Sequence, residues 1–124
     1  MFVPLVENGY LDSEATKIIA RDYLLPIKEK GVDTLVLGCT HYPLLTKVIS
    51  EVMGDGVSLI NPGVETALFA KELLINSNLD NKTDKTGETS YYVSDDVNKF
   101  SYLASMFLND KIENEVKKIN IEEW

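Results

Sequence analysis

Residues 32–45 read Val32-Asp33-Thr34-Leu35-Val36-Leu37-Gly38-Cys39-Thr40-His41-Tyr42-Pro43-Leu44-Leu45. The first six are mostly apolar and too few for a helix of ordinary length, so they read as a buried parallel strand. Pro43 suits the first position of a helix, where a backbone N–H has no partner to lose. Leu44, Leu45, Val48, Ile49 and Val52 then recur at helical spacing, and Gly54 marks the stop. A strand that turns through a glycine loop into a helix is the building unit of an α/β sheet.

The flanking sequence repeats this alternation. Upstream, residues 2–6 form a short apolar run that fits a first strand. Asp12 and Ser13 suit the N-cap of a helix with Ala15, Ile18, Ile19 and Tyr23 on one face. Pro26 should break or kink that helix, because its ring clashes with the preceding turn, and Gly31 ends the segment. Downstream, residues 57–60 read as a strand closed by Asn61-Pro62-Gly63, and Val64, Ala67, Leu68 and Ile75 begin a further helix. Residues 76–89 are a polar connection. Residues 90–93 read as a strand. Ser94 or Asp95 should cap a helix with Val97, Phe100, Ala104, Phe107 and Leu108 on one face. Residues 115–121 alternate charged and apolar side chains and look like an edge strand. The order β-α-β-α-β-α-β-α-β predicts an α/β fold with an open, mostly parallel sheet flanked by helices.

Composition narrows the function. The 124 residues carry a net charge of −8. Ten acidic and six basic residues lie in 1–75 and the same numbers in 76–124, so each part carries −4 and no basic stripe exists. Nucleic acid, whose binding rests on neutralising phosphates, is therefore not an expected partner. A membrane is not expected either, because no apolar stretch approaches the roughly 20 residues that span a bilayer. No signal peptide is visible at Met1. The single cysteine excludes internal disulfides and cysteine-rich zinc sites, and it fits the cytoplasm.

That cysteine, Cys39, and the one histidine, His41, are two residues apart in the same loop. In open α/β sheets, ligands bind beyond the carboxyl ends of strands, which is where this loop falls. A lone cysteine is more often a small buried hydrophobe. The pair, set after Gly38 and before a helix-start proline, points instead to a site. A helix N-terminus beside Cys39 would favour the thiolate and attract a carboxylate ligand. His41 can relay a proton, and Thr40 adds a hydroxyl beside both. The spacing leaves the reaction open between a thiol nucleophile for acyl transfer and a thiol acid/base that moves a proton on carbon. One Cys and one His make an incomplete metal site.

The segment Leu37-Gly38-Cys39-Thr40-His41-Tyr42-Pro43-Leu44-Leu45 resembles the second catalytic motif of bacterial glutamate racemases, in the aspartate/glutamate racemase superfamily. Phe2-Val3-Pro4-Leu5-Val6-Glu7, Asn61-Pro62-Gly63 and residues 91–108 are similar to segments of the same enzymes. The resemblance spans nearly the whole chain but only about the second half of the family's length.

It implies a cofactor-independent isomerase, without metal, that interconverts L- and D-glutamate for peptidoglycan. Two thiols act on opposite faces of the substrate Cα. Cys39 matches one of them and also a substrate contact. His41 matches its helper, Thr40 a substrate-binding position and Glu7 an acidic residue near the site, although Glu7 fits a solvated turn equally well. The family's other catalytic cysteine has no counterpart here, so the 124 residues by themselves are expected to be inactive. The resemblance also implies a fragment of a two-domain fold. Residues 1–75 belong to the second domain, and 90–124 pack on a first domain supplied by the missing amino-terminal half. Family members often form homodimers. The rival readings are an aspartate racemase, a non-catalytic ligand-binding or interaction module, and a thiol hydrolase.

Overall fold

The structure is a computed structural model and describes residues 1–109, 111–112 and 116–123. It divides into two compact units, Met1–Asn81 and Lys82–Trp124.

The first unit is built on α1 (Phe2–Glu7), α2 (Glu14–Lys28), β1 (Thr34–Val36), α3 (Thr46–Met53), β2 (Ser58–Ile60) and α4 (Pro62–Asn76). Strands β1 and β2 are parallel, in the register Thr34↔Ser58, Leu35↔Leu59 and Val36↔Ile60. The core lies under α3, where Leu45, Val48, Ile49 and Met53 are almost completely buried. Burying side chains of this size stabilises the unit by about 1.5–3 kcal/mol each. Gly54 ends α3 at φ 83°, a backbone that glycine adopts without strain. Lys28, in the last turn of α2, donates a 2.9 Å hydrogen bond to the Val52 carbonyl, so a cation sits at the negative end of α3.

Several sequence expectations change here. Residues 2–6 are helical, not a strand: Phe2 and Val6, four apart, fall on one face and are both buried. A run this short carries no decisive period, and Pro4 is tolerated in a first turn. Helix α2 continues through Pro26 to Lys28, because a proline so near the end disturbs little of the remaining ladder. The buried face of α2 is Thr16, Ala20 and Leu24, whereas Ile18 and Tyr23 are exposed. Thr16 tolerates full burial because its hydroxyl reaches the Tyr10 carbonyl and the Ser13 hydroxyl. Ser13 caps α2, accepting from the Thr16 N–H at 3.2 Å. Pro43 opens a 3-10 turn, Tyr42–Leu45, and α3 proper starts only at Thr46. Helix α4 begins at Pro62 rather than Val64, with the Asn61 side chain accepting from the Gly63 N–H at 3.0 Å.

The second unit pairs β3 (Tyr91–Val93) in parallel with β4 (Val116–Lys118), and α5 (Val97–Leu108) joins them. The cap of α5 is Asp96, not Ser94 or Asp95. Its carboxylate accepts from the Asn98 and Lys99 N–H groups at 2.8 and 2.9 Å. Those two backbone donors hold the Asp96 carboxyl below the usual carboxylate range. Tyr91 and Phe100 pack with ring centroids 6.2 Å apart. The expected edge strand is shorter than 115–121: Glu115 lies outside the described residues, and Ile121–Glu123 is a 3-10 turn.

The fold is α/β with parallel strands, as expected, and among the described residues these strands form two sheets of two. No described helix is long and apolar enough to cross a membrane.

Candidate active site

Parallel pairing of β1 and β2 puts their carboxyl ends together. Past Val36 the chain runs on through Leu37, whose N–H donates to the Ile60 carbonyl at 2.9 Å. The Gly38 and Cys39 N–H groups donate to the Val36 and Leu37 carbonyls, each at 2.9 Å. The Tyr42 N–H donates to the Cys39 carbonyl at 3.1 Å, and the Leu44 N–H to the His41 carbonyl at 3.2 Å. This ladder of tight turns fixes the path of the loop at the strand end. Cys39 is half-buried there and Thr40 is exposed.

The helix start expected beside Cys39 is different in kind. It is the four-residue 3-10 turn, and two of its N–H groups already serve loop carbonyls. A helix dipole therefore adds little at the thiol, and His41 is the group placed to act on it.

The side chains gather around the His41 ring. Its Nδ1 lies 3.9 Å from Cys39 Sγ and 3.2 Å from Thr40 Oγ1. On the opposite edge, Nε2 lies 3.5 Å from Glu7 Oε1. A carboxylate beside Nε2 favours the proton on that nitrogen and leaves Nδ1 as the acceptor facing the thiol. The set can move the Cys39 proton to His41 while Glu7 offsets the imidazolium charge. All four candidate residues, Glu7, Cys39, Thr40 and His41, thus meet in one place. Glu7 arrives from a helix 32 residues upstream of Cys39. Aromatic residues that the sequence pattern did not mark stand behind them: Phe2 packs edge-on against both Tyr42 and Tyr23. The buried i, i+4 pair Phe2/Val6 was the available signal.

No family model matches the chain. Among curated proteins, it is 43% identical over 122 residues to a glutamate racemase of Geobacter metallireducens, covering 98% of this chain and 45% of that protein. Among solved structures, glutamate racemase from Francisella tularensis in complex with D-glutamate superposes with a TM-score of 0.88 at 28% identity. That match covers 100% of this chain and 46% of the other. The Thermus thermophilus glutamate racemase in complex with beta-chloro-D-alanine gives a TM-score of 0.87 at 35% identity, covering 99% and 46%. The chain thus spans a little under half the length of the curated relatives it matches. Sequence and fold agree that this chain is similar to the carboxy-terminal portion of glutamate racemases.

Proposed function

We propose that the chain supplies one catalytic face of a cofactor-independent glutamate racemase, with Cys39 as one of its two acid/base thiols. The observation that carries this is the Glu7–His41–Cys39 array at the end of β1, in a chain 43% identical to a glutamate racemase. As thiolate, Cys39 takes the proton from the substrate Cα and becomes the thiol. A second acid then delivers a proton to the opposite face of the carbanion and is left as its conjugate base. In the reverse direction the roles exchange. His41 receives the proton that makes Cys39 a thiolate, Glu7 steadies His41, and the exposed Thr40 hydroxyl binds substrate. The amino acid is glutamate, and its D form serves peptidoglycan synthesis in the cytoplasm.

Inversion needs two groups on opposite faces, and the 124 residues contain one cysteine. The second group comes from polypeptide equivalent to the part of the relatives that this chain does not match. Helix α4 supports such a partner. None of its residues is buried, and Val64, Leu68, Phe69, Leu73, Leu74 and Ile75 are all exposed. A helix apolar around most of its circumference belongs in a core. The partner covers α4 as well as residues 90–124.

The test is co-expression of this chain with the unmatched amino-terminal segment of the Geobacter metallireducens racemase. The expected result is a complex that forms D-glutamate from L-glutamate, with neither part active alone. A complex that racemises aspartate but not glutamate, or that only hydrolyses activated esters, would overturn the reading.

A further inference from the structure

Helix α1 touches the catalytic loop at two places. At its start, Phe2 is 7% exposed and stands edge-on to Tyr42, with ring centroids 5.5 Å apart and planes at 81°. Tyr23 of α2 packs against the same ring at 5.4 Å and 68°. At its end, Glu7 Oε1 reaches His41 Nε2 at 3.5 Å. The two loop residues gripped in this way, His41 and Tyr42, are consecutive. Tyr42 also closes the turn at the thiol, through its N–H to the Cys39 carbonyl.

A six-residue helix has little stability of its own, and α1 has no side-chain cap at its start. Its position is therefore set by the side chains it buries, Phe2 and Val6. Edge-to-face ring pairs have a preferred geometry, so Phe2 constrains orientation as well as distance.

We propose that Phe2 is a positioning residue whose ring, clamped between Tyr42 and Tyr23, holds Glu7 against His41 and so keeps Nδ1 turned to Cys39. The inference rests on the reading of Cys39 and His41 as an acid–base pair. Without the ring, Val6 alone anchors the helix, and the carboxylate loses its fixed place beside Nε2.

Cys39 is the one thiol of the chain, so its alkylation by iodoacetamide reads this geometry directly. The rate is measured from pH 5.5 to 9 for the native chain, Glu7→Gln, Phe2→Ala and the double variant, with the urea-unfolded chain as reference. Glu7→Gln should slow alkylation near neutral pH about 5-fold in the native background and less than about 2-fold in Phe2→Ala, the non-additivity expected of coupled residues. Phe2→Leu keeps most of the apolar volume and should restore part of the Glu7 effect. It also serves as the comparison if Phe2→Ala does not fold. A purely structural Phe2 would lower the melting temperature and leave the Glu7→Gln effect whole. An equal Glu7→Gln effect in every background overturns the proposal, and so does a native rate equal to that of the unfolded chain. Failure of the racemase reading shows separately, as absent D-glutamate formation by the complex with the amino-terminal segment while this coupling stays intact.

Discussion

The His41 ring stands between Glu7 and Cys39, with Nε2 at 3.5 Å from the carboxylate and Nδ1 at 3.9 Å from the sulfur. The two contacts use opposite edges of the imidazole. Protonation at one nitrogen is therefore coupled to acceptance at the other. In the complex with the amino-terminal segment, His41→Asn should lower kcat for racemisation by about 10²-fold or more, and Glu7→Gln by less, as befits a proton-transfer group and its support. Equal rates for native and His41→Asn complexes would remove His41 from the mechanism.

In the proposed mechanism Cys39 carries the proton itself. Cys39→Ala should cost at least about 10³-fold in D-glutamate formation while the complex still assembles, because the loss is chemical. Gel filtration alongside a chiral assay separates the two. Residual activity near the native rate would reassign the acid–base role.

The stability of the first unit should depend most on the underside of α3. Ile49 is 1% exposed, so Ile49→Val should cost about 1 kcal/mol and Ile49→Ala about 3 kcal/mol. Urea titration of the chain measures both. At the other end of the scale, Ser13→Ala removes the α2 cap and should cost about 1 kcal/mol.

Helix α4 makes a contrasting prediction. Leu68 is 53% exposed, so Leu68→Asp should change the stability of the chain itself by no more than about 0.5 kcal/mol. The same substitution should block association with the amino-terminal segment. Unimpaired association would show that this face is not the one covered.

A surface ion cluster adds a pH dependence. The Asp12 carboxyl is held below its ordinary value of 3.8 by hydrogen bonds from Lys47 first and Lys17 second. Its contribution is present above pH 3.8 and is lost as pH falls through the lower folded value. Lys17 is raised above 10.5 by Asp12 first and then Glu51, so its contribution is present below that value and is lost as pH rises through the folded one. The difference in melting temperature between the native chain and Asp12→Asn should be small and level from pH 5 to 9. It should shrink below about pH 4, where Asp12 takes up its proton, and again above about pH 10.5, where Lys17 loses its own; it is small because these groups are solvent-exposed and screened. A difference unchanged at pH 3 would contradict the assignment.

Much of this was legible in the sequence because it is local. A strand before Gly38, the glycine stop at Gly54 and the pairing of Cys39 with His41 in one loop follow from spacing within a few residues, although the strand is only Thr34–Val36 and exposes Thr34 and Val36 rather than being buried throughout. The nine-residue motif from Leu37 to Leu45 was enough to indicate the family. What tertiary structure decided is what depends on distant packing. Phe2-Val3-Pro4-Leu5-Val6 satisfies either a strand or a helix by pattern, and burial of Phe2 against Tyr23 and Tyr42 selects the helix. That choice brings Glu7 to His41, 34 residues away, where the sequence allowed a solvated turn equally well. The buried stripe of α2 was likewise settled by what lies opposite it: Thr16 is accommodated because its hydroxyl donates to the Tyr10 carbonyl and accepts from the Ser13 hydroxyl, while Ile18 faces outward. Sequence period reports how apolar each face is. Which face is covered, and which carboxylate meets which imidazole, is determined only when the elements pack.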